Sequence, residues 1–136
     1  MVKSQYVSWI EIENTVQTIS NKILKYSKNF SSITTISRGG LIPSRLLADS
    51  LDIEKIFVDQ KIISSDSLFV DDIFDSGKTF SDVMSKVPDS SNLTFATLFA
   101  RRGVSYPEQL IYGDQTIDDS YLVFPWDKLE FEKSLK

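Results

Sequence analysis

Three times along the chain, a short β-branched or aromatic run ends in a turn: Ile33 to Ser37, Leu68 to Asp71 and Leu93 to Ala100. Helix-starting sequence follows the first two. LIPSRLLADSL places Pro43 near a first helical turn, suited to position N1, and KTFSDVMSKV runs from Lys78 until Pro88 stops it. Strand then helix, repeated, predicts an α/β fold in which a central, mostly parallel sheet is flanked by helices. Upstream, Ser8 and Glu11 form a capping-box pattern with Val7 and Ile12 as a hydrophobic staple, so a helix is predicted from Trp9. Ile12, Val16, Ile19 and Ile23 give it one apolar stripe. Ile56 to Ile63 is a candidate further strand, and Gln109 to Tyr112 and Tyr121 to Phe124 are candidate late edge strands. With no internal repeat and no linker, residues 1–136 are expected to form one domain.

Composition narrows the chemistry. The chain has no His and no Cys, which removes Ser-His-Asp hydrolysis, thiol catalysis, disulfides and His- or Cys-ligated metals. Carboxylates, Lys, Arg, hydroxyls, backbone amides and oxygen-ligated metals remain. A net charge of −4 argues against a nucleic-acid surface or an anionic-membrane anchor, so an anionic ligand has to be held locally. No apolar stretch approaches a membrane span and the N-terminus lacks a secretory apolar core; a cytoplasmic location is expected.

In a parallel α/β sheet, ligands sit beyond the carboxyl ends of the strands. Two loops lie there: Ser37-Arg38-Gly39-Gly40, and Asp71 through Thr79. In the second, Ser76, Gly77, Lys78 and Thr79 stand where strand turns into helix, where unpaired amides and hydroxyls can converge on an anion. A nucleoside-triphosphatase P-loop would need glycine at position 72, where the chain has Asp72. Asp71 and Asp72 end an apolar run, a costly place for adjacent charges unless a cation or sugar hydroxyls meet them. Singly, Asp71 or Asp72 could be a turn cap, Gly39-Gly40 a bare turn and Tyr121 edge-strand packing. The joint spacing D-D-x-x-D-S-G-x-T between strand and helix outweighs the first two of those readings; for Tyr121 the residues alone leave both open.

That spacing, written LFVDDIFDSGKTF, resembles the phosphoribosyl-pyrophosphate signature of type I phosphoribosyltransferases. YVSW, ITTISRGGLIPSRLLADSL, ATLFARRG and SYLVFPWD, in that order, are similar to the bacterial xanthine-guanine branch of the family and cover most of the chain. The resemblance implies a Rossmann-like sheet with a small C-terminal base-binding hood. It implies transfer of phosphoribosyl from phosphoribosyl pyrophosphate to a 6-oxopurine (guanine, xanthine or hypoxanthine), with Mg2+ as cofactor and a homodimer or homotetramer as assembly. By the same resemblance, Asp71 and Asp72 match the pair holding the ribose hydroxyls and the magnesium-bound substrate, with Asp72 the metal contact. Asp75 matches the candidate general base near purine N7. Ser76, Gly77, Lys78 and Thr79 match the 5′-phosphate loop, and Arg38, Gly39 and Gly40 the pyrophosphate loop, where family members often hold a non-proline cis peptide. Arg101 stands where a Lys commonly contacts the 6-oxo group, Tyr121 matches the purine-stacking aromatic, and Leu122 the residue whose backbone meets the 2-position. Trp126 and Asp127 are expected to close the base pocket structurally.

The chain departs from the family between Phe57 and Leu68, where VDQKIISSDS is too short for the long mobile lid. Lys61 or a neighbouring subunit are the two candidates to replace it. Two further readings stand beside the enzyme: a catalytically weak or inactive sensor binding phosphoribosyl pyrophosphate or a nucleotide, and an unrelated flavodoxin-like or response-regulator domain, which would not explain SRGG, FAR and PWD together.

Overall fold

A computed structural model describes residues 3–26 and 28–136. The capping box forms as its residues require: Ser8 Oγ accepts from the Glu11 amide at 3.2 Å, and Glu11 Oε1 accepts from the Ser8 amide at 3.3 Å. Helix α1 follows over Trp9–Leu24, burying Ile12, Ile19 and Ile23. Helix α2 spans Leu41–Leu51, with Pro43 at its third rather than first position. The physical argument is unchanged, because no amide of the first turn has an intrahelical partner. Helix α3 spans Lys78–Met84 and ends before Pro88; reverse turns at Lys86 and Val87 already close its last carbonyls. Lys128–Ser134 forms a C-terminal helix, α4, which the strand-and-turn reading did not anticipate.

Strands β1 (Ser4–Tyr6), β2 (Ser32–Thr35), β3 (Ile56–Val58), β4 (Ser67–Phe74), β5 (Thr94–Ala100), β6 (Leu110–Gln115) and β7 (Tyr121–Val123) make two sheets. The main sheet has the order β3-β2-β4-β5-β6 and is parallel throughout. The chain moves outward from β2 to β3, then returns to the other side of β2 with β4. Strand order therefore reverses between β2 and β4, and the loops that leave these two neighbours splay apart into a crevice at their carboxyl ends.

Alternation along β4 divides the core: Leu68 and Val70 face α1 and α2 with Ile33, Leu47 and Leu98, whereas Phe69 faces α3 with Phe95, Val83 and Val87. Phe69 and Phe95 stack at 4.7 Å on that second face. Both faces are covered, which is why β4 and β5 read as largely apolar runs rather than alternating ones.

Two strand expectations are corrected. The run Ile56 to Ile63 is extended only to Val58, because Asp59 adopts a left-handed φ of 55° and turns the chain. Tyr121 to Phe124 is not an edge of the main sheet; Tyr121–Val123 pairs in parallel with β1 in a separate two-stranded sheet. That small sheet joins the two chain ends into a hood, anchored by Phe124 and Trp126, which stack at 4.9 Å with rings 3° apart.

Candidate active site

The acidic pair lies inside β4 rather than at its end, since the strand continues to Phe74 and pairs Asp71 with Thr97 and Phe74 with Ala100. Asp71 is only 7% exposed. Its Oδ1 accepts from the Asp72 amide at 2.9 Å, and Asp72 Oδ1 accepts from the Ile73 amide at 2.8 Å. Among the described residues no Lys or Arg forms a salt bridge with either. Burial, reinforced by the charge of Asp72, pushes the Asp71 carboxyl well above the ordinary carboxylate range, and burial raises Asp72 also. Two buried acids with amide donors but no cation form a site that gains from an arriving positive charge or from hydroxyl donors.

After β4, Asp75 and Ser76 are exposed and Gly77 turns the chain with φ 87° into α3. Ser76 Oγ accepts from the Lys78 amide at 3.3 Å. The loop encloses a cleft of about 130 Å³ lined by Asp71 through Thr79 with Phe80 and Phe95. The amides of the first helical turn, the Ser76 and Thr79 hydroxyls and the Lys78 ammonium thus stand on one short arc.

The other loop approaches closely. A side chain at Gly39 would bring its Cβ to 2.8 Å from Asp72 Oδ2, and one at Gly40 would collide with Thr35 Oγ1 and stand 2.8 Å from the Val70 carbonyl. Only glycine lets this loop lie against the acidic pair. The Ser37–Arg38 peptide is cis. Asp59, which the sequence did not single out, braces the loop: its carboxylate accepts from the Ser37 amide at 2.8 Å and from Ser37 Oγ at 2.6 Å. These bonds hold Asp59 below its ordinary carboxyl range. Lys61 is exposed on this short connection, and Ile63 is buried beneath α3 instead of forming part of a lid.

Arg101 joins the loop to the residues expected to meet a purine. Its Nε donates to Asp75 Oδ1 at 3.0 Å and Nη2 to Asp75 Oδ2 at 3.4 Å; Nη1 donates to the carbonyls of Ser120 at 2.9 Å and Asp118 at 3.1 Å. The guanidinium therefore links the expected base directly to the start of β7. Tyr121 is 53% exposed and stacks on Phe131 of α4 at 5.5 Å with rings 16° apart. Leu122 lies in the β1–β7 ladder opposite Gln5, its side chain buried. Burial raises the Tyr121 hydroxyl, with the charges of Asp127, Glu130 and Asp72 adding to it; Asp127 is raised by burial, Asp72 and Glu130 against Arg38. The approach of Gly39 to Asp72 and the 3.8 Å contact of Arg38 Nη2 with Glu130 bring the acidic pair, the loop and the hood side together. Trp126 packs between Phe124 and Trp9 as a structural closure.

Arg38 to Gly40, Asp71, Asp72 and Asp75 to Thr79 thus lie on the two loops and strand at the switch point, with Arg101 joining Asp75 to the hood that carries Tyr121 and Leu122; Lys61 stays on the β3–β4 connection. Asp59, Glu130 and Phe131 are additions from the structure. Phe131 had one visible signal, a lone aromatic among the charges of KLEFEKS.

No family model matches the chain. In sequence it is similar to the xanthine-guanine phosphoribosyltransferase of Chromohalobacter salexigens, 29% identical over 89% of this chain and 82% of that protein. In structure it is similar to a purine phosphoribosyltransferase from Pyrococcus horikoshii, with a TM-score of 0.71, 24% identity and coverage of 92% of this chain and 94% of that one. The Helicobacter pylori xanthine-guanine-hypoxanthine phosphoribosyltransferase superposes with a TM-score of 0.74 at 17% identity, covering 96% and 99% of the two chains. By sequence along nine-tenths of its length and by the shape of its sheet, the chain resembles the type I phosphoribosyltransferases and has their fold.

Proposed function

We propose that this protein is a glycosyltransferase of purine salvage, a Mg2+-dependent phosphoribosyltransferase that joins a 6-oxopurine to phosphoribosyl pyrophosphate. The observation that carries this reading is the meeting, at one switch point, of a buried uncompensated acidic pair, a phosphate-type turn at Ser76–Thr79 and a carboxylate, Asp75, held by Arg101. Similarity to named xanthine-guanine phosphoribosyltransferases supports it.

In the proposed reaction, purine N9 forms a bond to C1 of the ribose as the C1–oxygen bond to pyrophosphate breaks, the electron pair leaving with pyrophosphate. The proton of the purine passes from N7 to Asp75. The chain's share of the work is placement: Ser76 to Thr79 hold the 5′-phosphate, Asp71 and Asp72 the ribose hydroxyls, Arg38 with Gly39 and Gly40 the pyrophosphate, Tyr121 and Leu122 the purine. Arg101 Nη atoms turn toward the 6-oxo group when the Asp75 pairing opens, and its planar fork offers two donors in place of one ammonium.

The residues fit a magnesium ion. Among the described residues no three acidic side chains form a cage, so the ion would be held by Asp72 with substrate oxygens completing its shell, as is usual for Mg2+. The chemistry such an ion would supply is neutralisation of charge on the departing pyrophosphate. Among the described residues no helix is long and apolar enough to cross a membrane, and we place the activity in the cytoplasm as a homodimer or homotetramer.

A crystal grown with guanosine monophosphate tests the assignment of ligand halves. The phosphate is expected on the Ser76–Thr79 amides and the purine on Tyr121; a nucleotide bound elsewhere, or none at millimolar concentration, contradicts it.

A further inference from the structure

The proposed chemistry needs a cover, and residues 59–66 between β3 and β4 are too few to reach over the crevice. Helix α4 reaches it instead. Phe131, 8% exposed, lies nearly parallel to Tyr121 at 5.5 Å and meets Tyr6 edge-on at 6.1 Å. The next residue back, Glu130, stands 3.8 Å from Arg38 Nη2. One short helix thus touches a residue assigned to each ligand half: the ring for the purine and the cation for pyrophosphate. The two contacts differ in kind. Phe131 stacks on one face of the Tyr121 ring while the residue stays 53% exposed, so the stack fixes the plane of the ring. Glu130 and Arg38 are 71% and 81% exposed in their side chains, so water or a more highly charged anion readily replaces the carboxylate.

Resting on the proposed function, we infer that α4 is a further positioning element of the site: Phe131 orients Tyr121 for the purine, and Glu130 occupies Arg38 until the pyrophosphate group displaces it. Neither residue touches a reacting atom. Two opposite effects follow. Loss of Phe131 frees Tyr121 and weakens purine binding alone, whereas loss of the Glu130 charge removes a competitor and strengthens binding of phosphoribosyl pyrophosphate alone. A helix that merely stabilised the fold would shift both ligands in one direction.

The experiment titrates the full chain and its variants with guanosine monophosphate and, separately, with phosphoribosyl pyrophosphate, with magnesium, by calorimetry. Phe131→Ala is expected to raise the Kd for guanosine monophosphate by about threefold to tenfold, the scale of one aromatic contact, with the other ligand unchanged. Phe131→Tyr is expected to restore it, and serves alone if the alanine variant does not fold. Glu130→Gln is expected to lower the Kd for phosphoribosyl pyrophosphate by about twofold to fivefold, the range of an exposed ion pair. Unchanged constants in Phe131→Ala and Glu130→Gln, equal losses for both ligands, or failure of Phe131→Tyr to match the parent chain overturns the inference while the proposed function stands. If the parent chain binds neither ligand, the proposed function itself is overturned, and this inference with it.

Discussion

Asp75 and Asp71 are carboxylates of one loop and its strand, yet their surroundings set them opposite tasks. Asp75 is exposed and paired, with both oxygens on Arg101; to accept a proton from a purine it has only to release one hydrogen bond. Asp75→Asn keeps the shape and removes the acceptor, so kcat is expected to fall by about 10² to 10⁴, while the lost pairing to the largely buried Arg101 guanidinium costs folding about 1 to 3 kcal/mol. Steady-state kinetics beside a melting curve separates the two. Asp71 is buried without a cation, so its charge opposes the ligand-free fold. Asp71→Asn is expected to raise the melting temperature of the ligand-free chain by a few degrees, roughly the effect of 1 kcal/mol in a chain of this size, and to weaken binding of phosphoribosyl pyrophosphate; a lower melting temperature would show that the burial is compensated. Asp59 carries a pH dependence with a definite sign. Its carboxyl is held below the ordinary 3.8 by Ser37, so the stabilisation is full above 3.8 and disappears as the pH falls through the lowered value. Melting curves of the parent and Asp59→Asn chains are therefore expected to differ at neutral pH and to converge in strong acid.

At the scale of elements, what was legible followed from local rules. The capping box at Ser8 and Glu11 names its own first residue, and α1 starts at Trp9 as expected. β4 and β5 stand out as largely apolar, β-branched and aromatic runs because both sheet faces are covered, and β2, SITT, stands out by its β-branched Ile33, Thr34 and Thr35. The errors fall where long-range contacts decide. Nothing within IFVDQKII says that Asp59 abandons the strand, because the reason is a bond to Ser37, distant in sequence. Tyr121–Val123 has strand character in isolation, but its partner is the N-terminal β1, and only tertiary pairing distinguishes a hood from a sheet edge. The glycine pair was legible as a turn but not as a close approach. Gly40→Ala forces Thr35 and the Val70 carbonyl to move, and a cost of about 1 to 3 kcal/mol is expected in a denaturant titration. A loss below a few tenths of a kcal/mol would mean that the loop sits further from the sheet than described.

For the whole molecule, the order β3-β2-β4-β5-β6 explains why so short a chain can assemble a two-substrate site. The reversal between β2 and β4 opens the crevice, the loops leaving those two strands furnish the side proposed to meet phosphate, and the β1–β7 hood with α4 furnishes the side proposed to meet the purine. The candidate site was legible because its polar groups are concentrated in two contiguous loops, whereas the contributions of α4 and Asp59 depend on folding and carry no motif. The empty His and Cys columns add a constraint on the proposed mechanism: proton transfer would fall to a carboxylate, and Asp75 is the one bound through Arg101 to the start of β7. The most direct measurement is nucleotide formation from phosphoribosyl pyrophosphate with guanine, xanthine or hypoxanthine, in magnesium, by the parent chain and by Asp75→Asn. Turnover of at least one base by the parent, reduced by about 10² or more in the variant, is the expected result; no nucleotide from any of the three bases, or equal turnover by both chains, would contradict it.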